Sequence, residues 1–331
     1  MKLKKCAALL LVSSCLLTGC TTSSAKKVDS KYVVASLEKG NKTKNIFADI
    51  LYKDIIDNSS NNSTVFNAVL QNLVDQKFPV NDDMKEDAAT IIKQIKSAYK
   101  SNYGDNYKDS LNQALTSAGY KNLSEYRQRM IKQIQYANFL LDYIDDHFDD
   151  VFNDYYQQCA PKYVSLIKIS VSDTSSPTDD ETSKLNEVKE LISNTDKSFG
   201  DIAQDYSDDS TSSKKGSLGI VDSKDTSGIA NSYGKDVFNA IEALSEGQVS
   251  DVITGDNGYY FVKVTSTDKK TLKKELKKTD IDSPLLAYDD YLQYVVYNSY
   301  KINYKDKDIK KIVQEVVNKA LEERKTERGE A

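Results

Sequence analysis

Tryptophan is absent from the 331 residues, histidine occurs once, and three of the four cysteines (Cys6, Cys15 and Cys20) fall in the first twenty positions. Each scarcity excludes something. Cys159, the one cysteine of the remaining chain, cannot form an internal disulfide, and no C-x-x-C or His/Cys cluster is present to hold zinc, so neither a metal nor a cofactor is expected. A Ser-His-Asp hydrolase would have to use His147 as its base. That residue lies in Asp145-Asp146-His147-Phe148, within a helical pattern and far from any serine-glycine elbow, which suits a solvated helix surface. Beyond the leader there is no apolar run long enough to cross a bilayer. Positive charge is also short: the net charge is −5, and it becomes −8 once Lys2, Lys4 and Lys5 leave with the leader. An acidic body argues against binding a phosphate backbone, so no nucleic-acid partner is expected.

What is present begins with a basic Met1-Lys-Leu-Lys-Lys5 and a short apolar stretch from Ala7 to Leu17, the pattern of a signal peptide. It ends in Leu17-Thr18-Gly19-Cys20, which resembles the bacterial lipobox. That resemblance implies cleavage after residue 19, a lipid on the Cys20 sulfur, and anchoring on the outer face of the cytoplasmic membrane. Residues 20–44 are Ser/Thr/Lys-rich and read as the lipidated cysteine followed by a flexible tether. The 22 tyrosines suit a surface that meets other chains, or reflect the base composition of an AT-rich genome.

Residues 45–160 have helical periodicity throughout and one proline up to Gln158, Pro79. Ile46, Phe47, Ile50, Leu51 and Ile55 mark a first amphipathic stretch, Val65 to Val74 a second, Ile91 to Tyr99 a third. Leu111 to Ala118 should close on Gly119 as the residue after the cap. A long helix capped by Ser124 should run past Tyr155, with Met130, Ile134, Ala137, Leu141, Ile144, Phe148, Val151 and Tyr155 forming one packing seam.

The pattern changes at residues 161–267. Tyr163 to Val171 is β-branched and alternating, a strand. Thr178-Asp-Asp-Glu181 is a capping box, and Ser198 can cap a second helix. A polar loop follows, Tyr206 to Gly219, then a helix from about Lys235 to Leu244. A hairpin comes last, with strands Val249–Ile253 and Tyr259–Val264 around Asp256-Asn257-Gly258, where Asn-Gly favours a type I′ turn. Residues 268–331 return to helix. They hold a charged run to Lys278, a helix opened by Ser283-Pro284, and a last helix with Ile309, Ile312, Val313, Val316, Val317, Ala320 and Leu321 on one face, its tail from Glu322 fraying. The Met130–Tyr155 seam is the natural partner for that face.

Several segments carry more than periodicity. Ser198-Phe-Gly-Asp-Ile-Ala203, Tyr206-Ser-Asp-Asp209, Gly216-Ser-Leu-Gly219, Ala243-Leu244, Glu246-Gly-Gln-Val-Ser250 and Gly258-Tyr-Tyr-Phe-Val-Lys-Val264 fall in the order and spacing of the parvulin peptidyl-prolyl isomerases. With the lipobox and the flanking helices, the chain resembles the PrsA-type foldase lipoproteins of Gram-positive bacteria, whose helical regions are like those of SurA. The resemblance implies an α+β fold, in which a mainly helical chaperone body made of N- and C-terminal segments carries an inserted α+β parvulin-like domain. It implies prolyl isomerisation, with unfolded or nascent secreted polypeptides as partners, and it leaves a homodimer open.

The chain departs from that pattern where the family has its two active-site histidines. Lys168 and Tyr260 stand in their places, while Asp209 keeps the third position. By the same resemblance Leu218, Tyr233, Phe238 and Asn257 line the substrate pocket, with Val237 or Phe238 open by one residue of register. Because prolyl isomerisation only rotates an amide over about 18–20 kcal/mol, an apolar pocket can lower the barrier without a nucleophile. Weak activity is the expectation. A non-catalytic holdase is the alternative, and a solute-binding lipoprotein, which needs two lobes of alternating strand and helix, fits the helical N-terminal block poorly.

Overall fold

The computed structural model describes residues 27–28, 31–39, 42–277 and 280–330. The expected leader, cleavage site and Cys20 lie outside these residues. In chain order the elements are β1 (Lys27–Val28), β2 (Lys31–Lys39), β3 (Lys42–Phe47), α1 (Ala48–Ile56), α2 (Asn62–Lys77), α3 (Asp82–Tyr103), α4 (Tyr107–Ser117), α5 (Leu123–Asp146), α6 (Phe148–Cys159), β4 (Lys162–Ser170), α7 (Asp179–Asn194), α8 (Phe199–Tyr206), β5 (Ser217–Val221), α9 (Ile229–Tyr233), α10 (Lys235–Ala243), β6 (Ile253–Gly255), β7 (Gly258–Ser266), α11 (Lys269–Leu276), α12 (Leu292–Ser299) and α13 (Lys307–Glu327). A mainly helical chain with a small antiparallel sheet at its centre is the fold class expected.

The described residues form two compact units, one covering 82–290 and the other drawn from residues up to 81 and from 291 onward. In the second unit β2 and β3 pair antiparallel, with Lys39 opposite Lys42. This replaces the tether expected over residues 31–44. The run Tyr32-Val33-Val34-Ala35 has the β-branched and aromatic content of a strand, and Gly40-Asn41 between the two strands is a hairpin signal that the polar composition obscured. α1 buries none of its residues: Ile50, Leu51 and Ile55, expected on a core face, are all exposed. α13 packs on α2, with Val313, Val317 and Ala320 buried, while the expected partner seam belongs to the other unit. The ring of Phe66, fully buried, stacks on Tyr294 at 4.9 Å and meets Tyr297 edge-on at 5.1 Å. α13 continues to Glu327 rather than fraying from Glu322, supported by Lys325–Glu322 and Lys319–Glu323 pairs one turn apart.

In the unit of residues 82–290, α3 packs on α4 and α5. The long helix is broken into α5 and α6 at His147, whose φ of −119° and ψ of 27° leave the helical region. Charge explains the break. Asp145 and Asp146 oppose the negative end of the α5 dipole, whereas Asp149 and Asp150 favour the positive end of a new helix. The N-cap of α5 is Asn122, whose side chain accepts from the Glu125 N–H, and Ser124 is already inside the helix. Ser283-Pro284 opens only a single 3₁₀ turn, residues 284–286, and helix resumes at Leu292.

The central sheet has strand order β5-β4-β7-β6, all antiparallel. β4 alternates two apolar faces. Ile167 and Ile169 join Leu185, Val188, Phe199 and Ile202 of α7 and α8 on one side. Val164 and Leu166 join Val221, Ile229, Val237 and Ile241 on the other, under α9 and α10. The capping box of α7 forms in full: Thr178 accepts from the Glu181 N–H and Glu181 accepts from the Thr178 N–H. Gly255 pairs with Gly258, so Asp256 and Asn257 are the central turn residues, one earlier than expected. Neither has positive φ, which excludes a type I′ turn. Gly258 is needed for another reason, since a Cβ there would stand 2.3 Å from the Ile169 carbonyl oxygen.

α6 holds the base of this domain. Asp222, fully buried at the end of β5, accepts hydrogen bonds from the Tyr155 hydroxyl (2.8 Å), the Thr226 hydroxyl and the N–H groups of Lys224 and Thr226. Burial in the company of this carboxylate pushes the Tyr155 phenol far above its ordinary pKa, so it stays a donor. The Ser223 N–H donates to the Cys159 carbonyl, and the Tyr156 hydroxyl donates to that of Thr267, so the segment after β5 and the exit from β7 are both tied to one helix.

Candidate functional site

The site lies on the α9/α10 face of the central sheet. Lys168 on β4 and Tyr260 on β7 are opposed in the register, so their side chains leave the same face, and the Lys168 ammonium stands 5.7 Å from the centre of the Tyr260 ring. Tyr260 is only 3% exposed and donates its hydroxyl to Asn257 Oδ1 at 2.7 Å. Tyr233, at the end of α9, meets Tyr260 edge-on with ring centres 6.2 Å apart. The Tyr233 hydroxyl is 3.4 Å from Asp209 Oδ1, a long hydrogen bond. The structure thus gathers Asp209, Tyr233, Tyr260 and Asn257 as two hydrogen-bonded pairs joined by an edge-to-face ring contact. Leu218 and Phe238 pack against the apolar cluster beneath it, beside Leu244 and Ile253. Val237 is buried in that cluster and Phe238 is only partly so, which makes Phe238 the accessible member of the pair.

Local structure explains how the loop is held. Asp209 caps the 3₁₀ turn of residues 210–214, its Oδ1 accepting from the Thr211 N–H at 2.9 Å. The Ser207 hydroxyl oxygen accepts from the N–H groups of both Lys168 and Asp209, and the Asp208 N–H donates to the Lys168 carbonyl. Lys215 then turns through positive φ into Gly216. A Cβ on Gly216 would stand 2.4 Å from the Leu166 carbonyl oxygen and 2.8 Å from Ala203 Cβ, so the loop reaches the strand only because this position is glycine. Its carbonyl accepts from the Leu166 N–H at 2.8 Å.

Two tyrosines titrate high. Burial, and then the Asp209 charge, hold Tyr233 well above the usual phenol range, and burial with the charges of Asp209 and Asp256 raises Tyr260. Both are neutral donors at physiological pH. The Asp209 Oδ2 atom accepts from nothing among the described residues, and Lys168 has no carboxylate partner there either, so the site offers one open acceptor and one unpaired cation. Thr211 Oγ1 is buried without a partner beside Asp209. Motif reading missed Ser207 and Thr211; Ser207 sits inside the recognised Tyr206-Ser-Asp-Asp209, but its role appears only through its contact with β4. Among the described residues no group of three or more His, Cys, Asp or Glu side chains is placed to hold a metal.

These features describe a sheet with an aspartate-bearing loop and an apolar floor, and family comparison agrees. Residues 166–266 match the rotamase family, described as the PPIC-type PPIase domain. Over that span the central domain is similar to the PPIC-type peptidyl-prolyl isomerases. The chain is similar to the foldase protein PrsA of Staphylococcus epidermidis, 32% identical over 141 residues, which covers 40% of this chain and 41% of that protein. It is similar to PrsA of Staphylococcus aureus over the same length at 32% identity. The match thus spans about two fifths of the curated relatives. Among solved structures, PrsA from Bacillus subtilis aligns at 21% identity with a TM-score of 0.39, covering 85% of this chain and 97% of that one.

Proposed function

We propose that this chain is a membrane-anchored extracytoplasmic foldase that binds secreted polypeptides after translocation, with weak prolyl isomerase activity in its central domain. The observation that supports it most is the Asp209/Tyr233/Tyr260/Asn257 cluster lying on an apolar floor in a PPIC-type domain. A proline ring would rest against Leu218 and Phe238, leaving its preceding carbonyl near Asp209 and Tyr233. The planar amide is charge-separated by resonance and the twisted amide is less so. Removing water from it therefore favours the twisted state, and each 1.4 kcal/mol or so gained is about tenfold in rate. Asp209 Oδ2 can accept a hydrogen bond, whereas Tyr233, held protonated, could donate one to the substrate only by releasing Asp209 Oδ1.

The anchor would be the lipid on Cys20. Among the described residues no helix is long and apolar enough to cross a membrane. A second reading, a holdase without turnover, draws on Lys168 and Tyr260. One brings a solvated charge to the site, and the other is buried with its hydroxyl already engaged by Asn257. NMR exchange on an Xaa-Pro peptide mixed with the full chain separates the two. Faster cis/trans exchange that falls in Asp209→Ala supports the isomerase. No acceleration at stoichiometric protein, with Asp209→Ala indistinguishable from wild type, leaves the holdase.

A further inference from the structure

Away from the central domain, an open groove of about 590 Å³ lies between α3 and the start of α5. Lys93, Lys96 and Lys100 line it along α3, Arg127 lines it from α5, and Ile92 and Leu123 supply apolar floor. No carboxylate lines it. The three lysines recur at intervals of three and four on one helix face, strung over roughly 10 Å at 1.5 Å per residue. None of the four cations has an ion-pair partner among the described residues; the Arg127 guanidinium makes one long contact, 3.4 Å, to the Lys85 carbonyl. Glu125, the acid in the first turn of α5, is occupied by the Lys121 N–H at 2.8 Å. On a chain of net charge −5, four unpaired cations around one groove run against the composition.

We infer that this groove binds acidic segments of unfolded polypeptides, in which carboxylates alternate with aliphatic or aromatic side chains. Spacing and floor select that occupant. A lone phosphate needs donors converging on a point, and these cations are spread along a line. A membrane surface is planar, and the cations flank a concavity. An extended chain can place carboxylates at intervals against Lys93, Lys96 and Lys100 and an apolar side chain against Ile92 and Leu123. The inference rests on the chaperone reading and adds a preference to it: clients would be held by their acidic stretches, apart from any proline.

The test is fluorescence anisotropy on the full chain with a labelled twelve-residue Asp/Glu/Leu peptide, its Asn/Gln/Leu counterpart, polyphosphate, and phosphatidylglycerol vesicles. Aggregation of an unfolded client without acidic stretches is followed in parallel. The acidic peptide should bind at low salt, weaken as salt rises, and lose about tenfold or more in Lys93→Glu/Lys96→Glu/Lys100→Glu. The matching triple arginine variant should retain binding, showing that charge and not folding is at issue. Equal binding of the neutral peptide, an unchanged affinity in the glutamate variant, or binding of polyphosphate or vesicles without the peptide overturns the assignment. If aggregation is still suppressed in that case, the chaperone reading stands and only the groove fails; if it is not, the chaperone reading fails separately.

Discussion

Replacing Gly216 with alanine tests how the candidate site is assembled. Gly216 has φ of +75°, and a Cβ there would lie 2.4 Å from the Leu166 carbonyl oxygen, backbone that cannot rotate away. Two costs combine. The left-handed backbone costs a residue with a Cβ about 1–2 kcal/mol, and forcing a methyl into a packed position adds about 1–3 kcal/mol. The expected loss is therefore about 2–5 kcal/mol, a large part of the roughly 5–15 kcal/mol typical of a domain. Gly219 is the control. Its φ is +83° but nothing lies within 4 Å of where a Cβ would stand, so Gly219→Ala should show the backbone cost alone. Urea titration of the full chain, followed by hydrogen–deuterium exchange in peptides from β4 and β7, reads this domain separately from the rest. At an m-value of about 1–3 kcal/mol per molar, the two variants should differ in midpoint by roughly one molar. Gly216→Ala should also loosen Asp209 from Tyr233, because the Gly216 N–H donates to the Thr211 carbonyl inside the same loop. Equal midpoints for the two variants would refute the claim that close approach to β4 sets the loop.

Other outcomes follow from particular contacts. Tyr155→Phe removes a donor to the buried Asp222 and should cost about 1.5–3 kcal/mol in urea unfolding of this unit. Lys162 donates to the carbonyls of Ile241, Glu242 and Leu244 at the end of α10, so Lys162→Met should cost about 1–2 kcal/mol and raise exchange in α10 first. Glu181 is held below its ordinary pKa, chiefly by the Thr178 and Ser172 N–H groups. The unfolded chain then takes up its proton first as pH falls, so this stabilisation is present above the ordinary carboxylate value and disappears as pH drops through the depressed one. Protection at the start of α7, corrected for the intrinsic exchange rate at each pH, should fall over that acid range, and Glu181→Gln should remove that change in protection.

Much of the central domain was legible in the residues. The capping box at Thr178, the Ser198 cap and the α10 span each depend on neighbours a few positions apart, and local patterns record such features directly. The candidate site residues could be assembled from the sequence as a set only because a family pattern fixed their order. What the sequence could not convey is contact. Nothing in the spacing says that the Tyr260 hydroxyl reaches Asn257, that Ser207 serves both Lys168 and Asp209, or that Asp222 receives Tyr155. The strand pair of residues 31–39 and 42–47 was hidden by lysines and serines whose polarity resembles a linker, although the strand content was there. The α5/α6 break was hidden differently: the apolar stripe runs straight through His147, and only the placement of four aspartates around it shows where one dipole ends and the next begins.

The base of the central domain bears on how such a chain can be cut and rejoined. Tyr163, just inside β4, is paired with Ser266, the last residue of β7, so the polypeptide enters and leaves the sheet about one strand spacing apart. Two or three small residues could bridge that gap. Excision of residues 163–266 would then preserve the path from α6 to α11 while leaving Tyr155 without its acceptor. A deletion carrying Tyr155→Phe as well spares the remainder that buried, orphaned hydroxyl. The same closeness of ends makes the domain transferable: a helical protein could acquire or lose it in one insertion event, with α6 as the graft point and Asp222 as the residue that makes the graft hold.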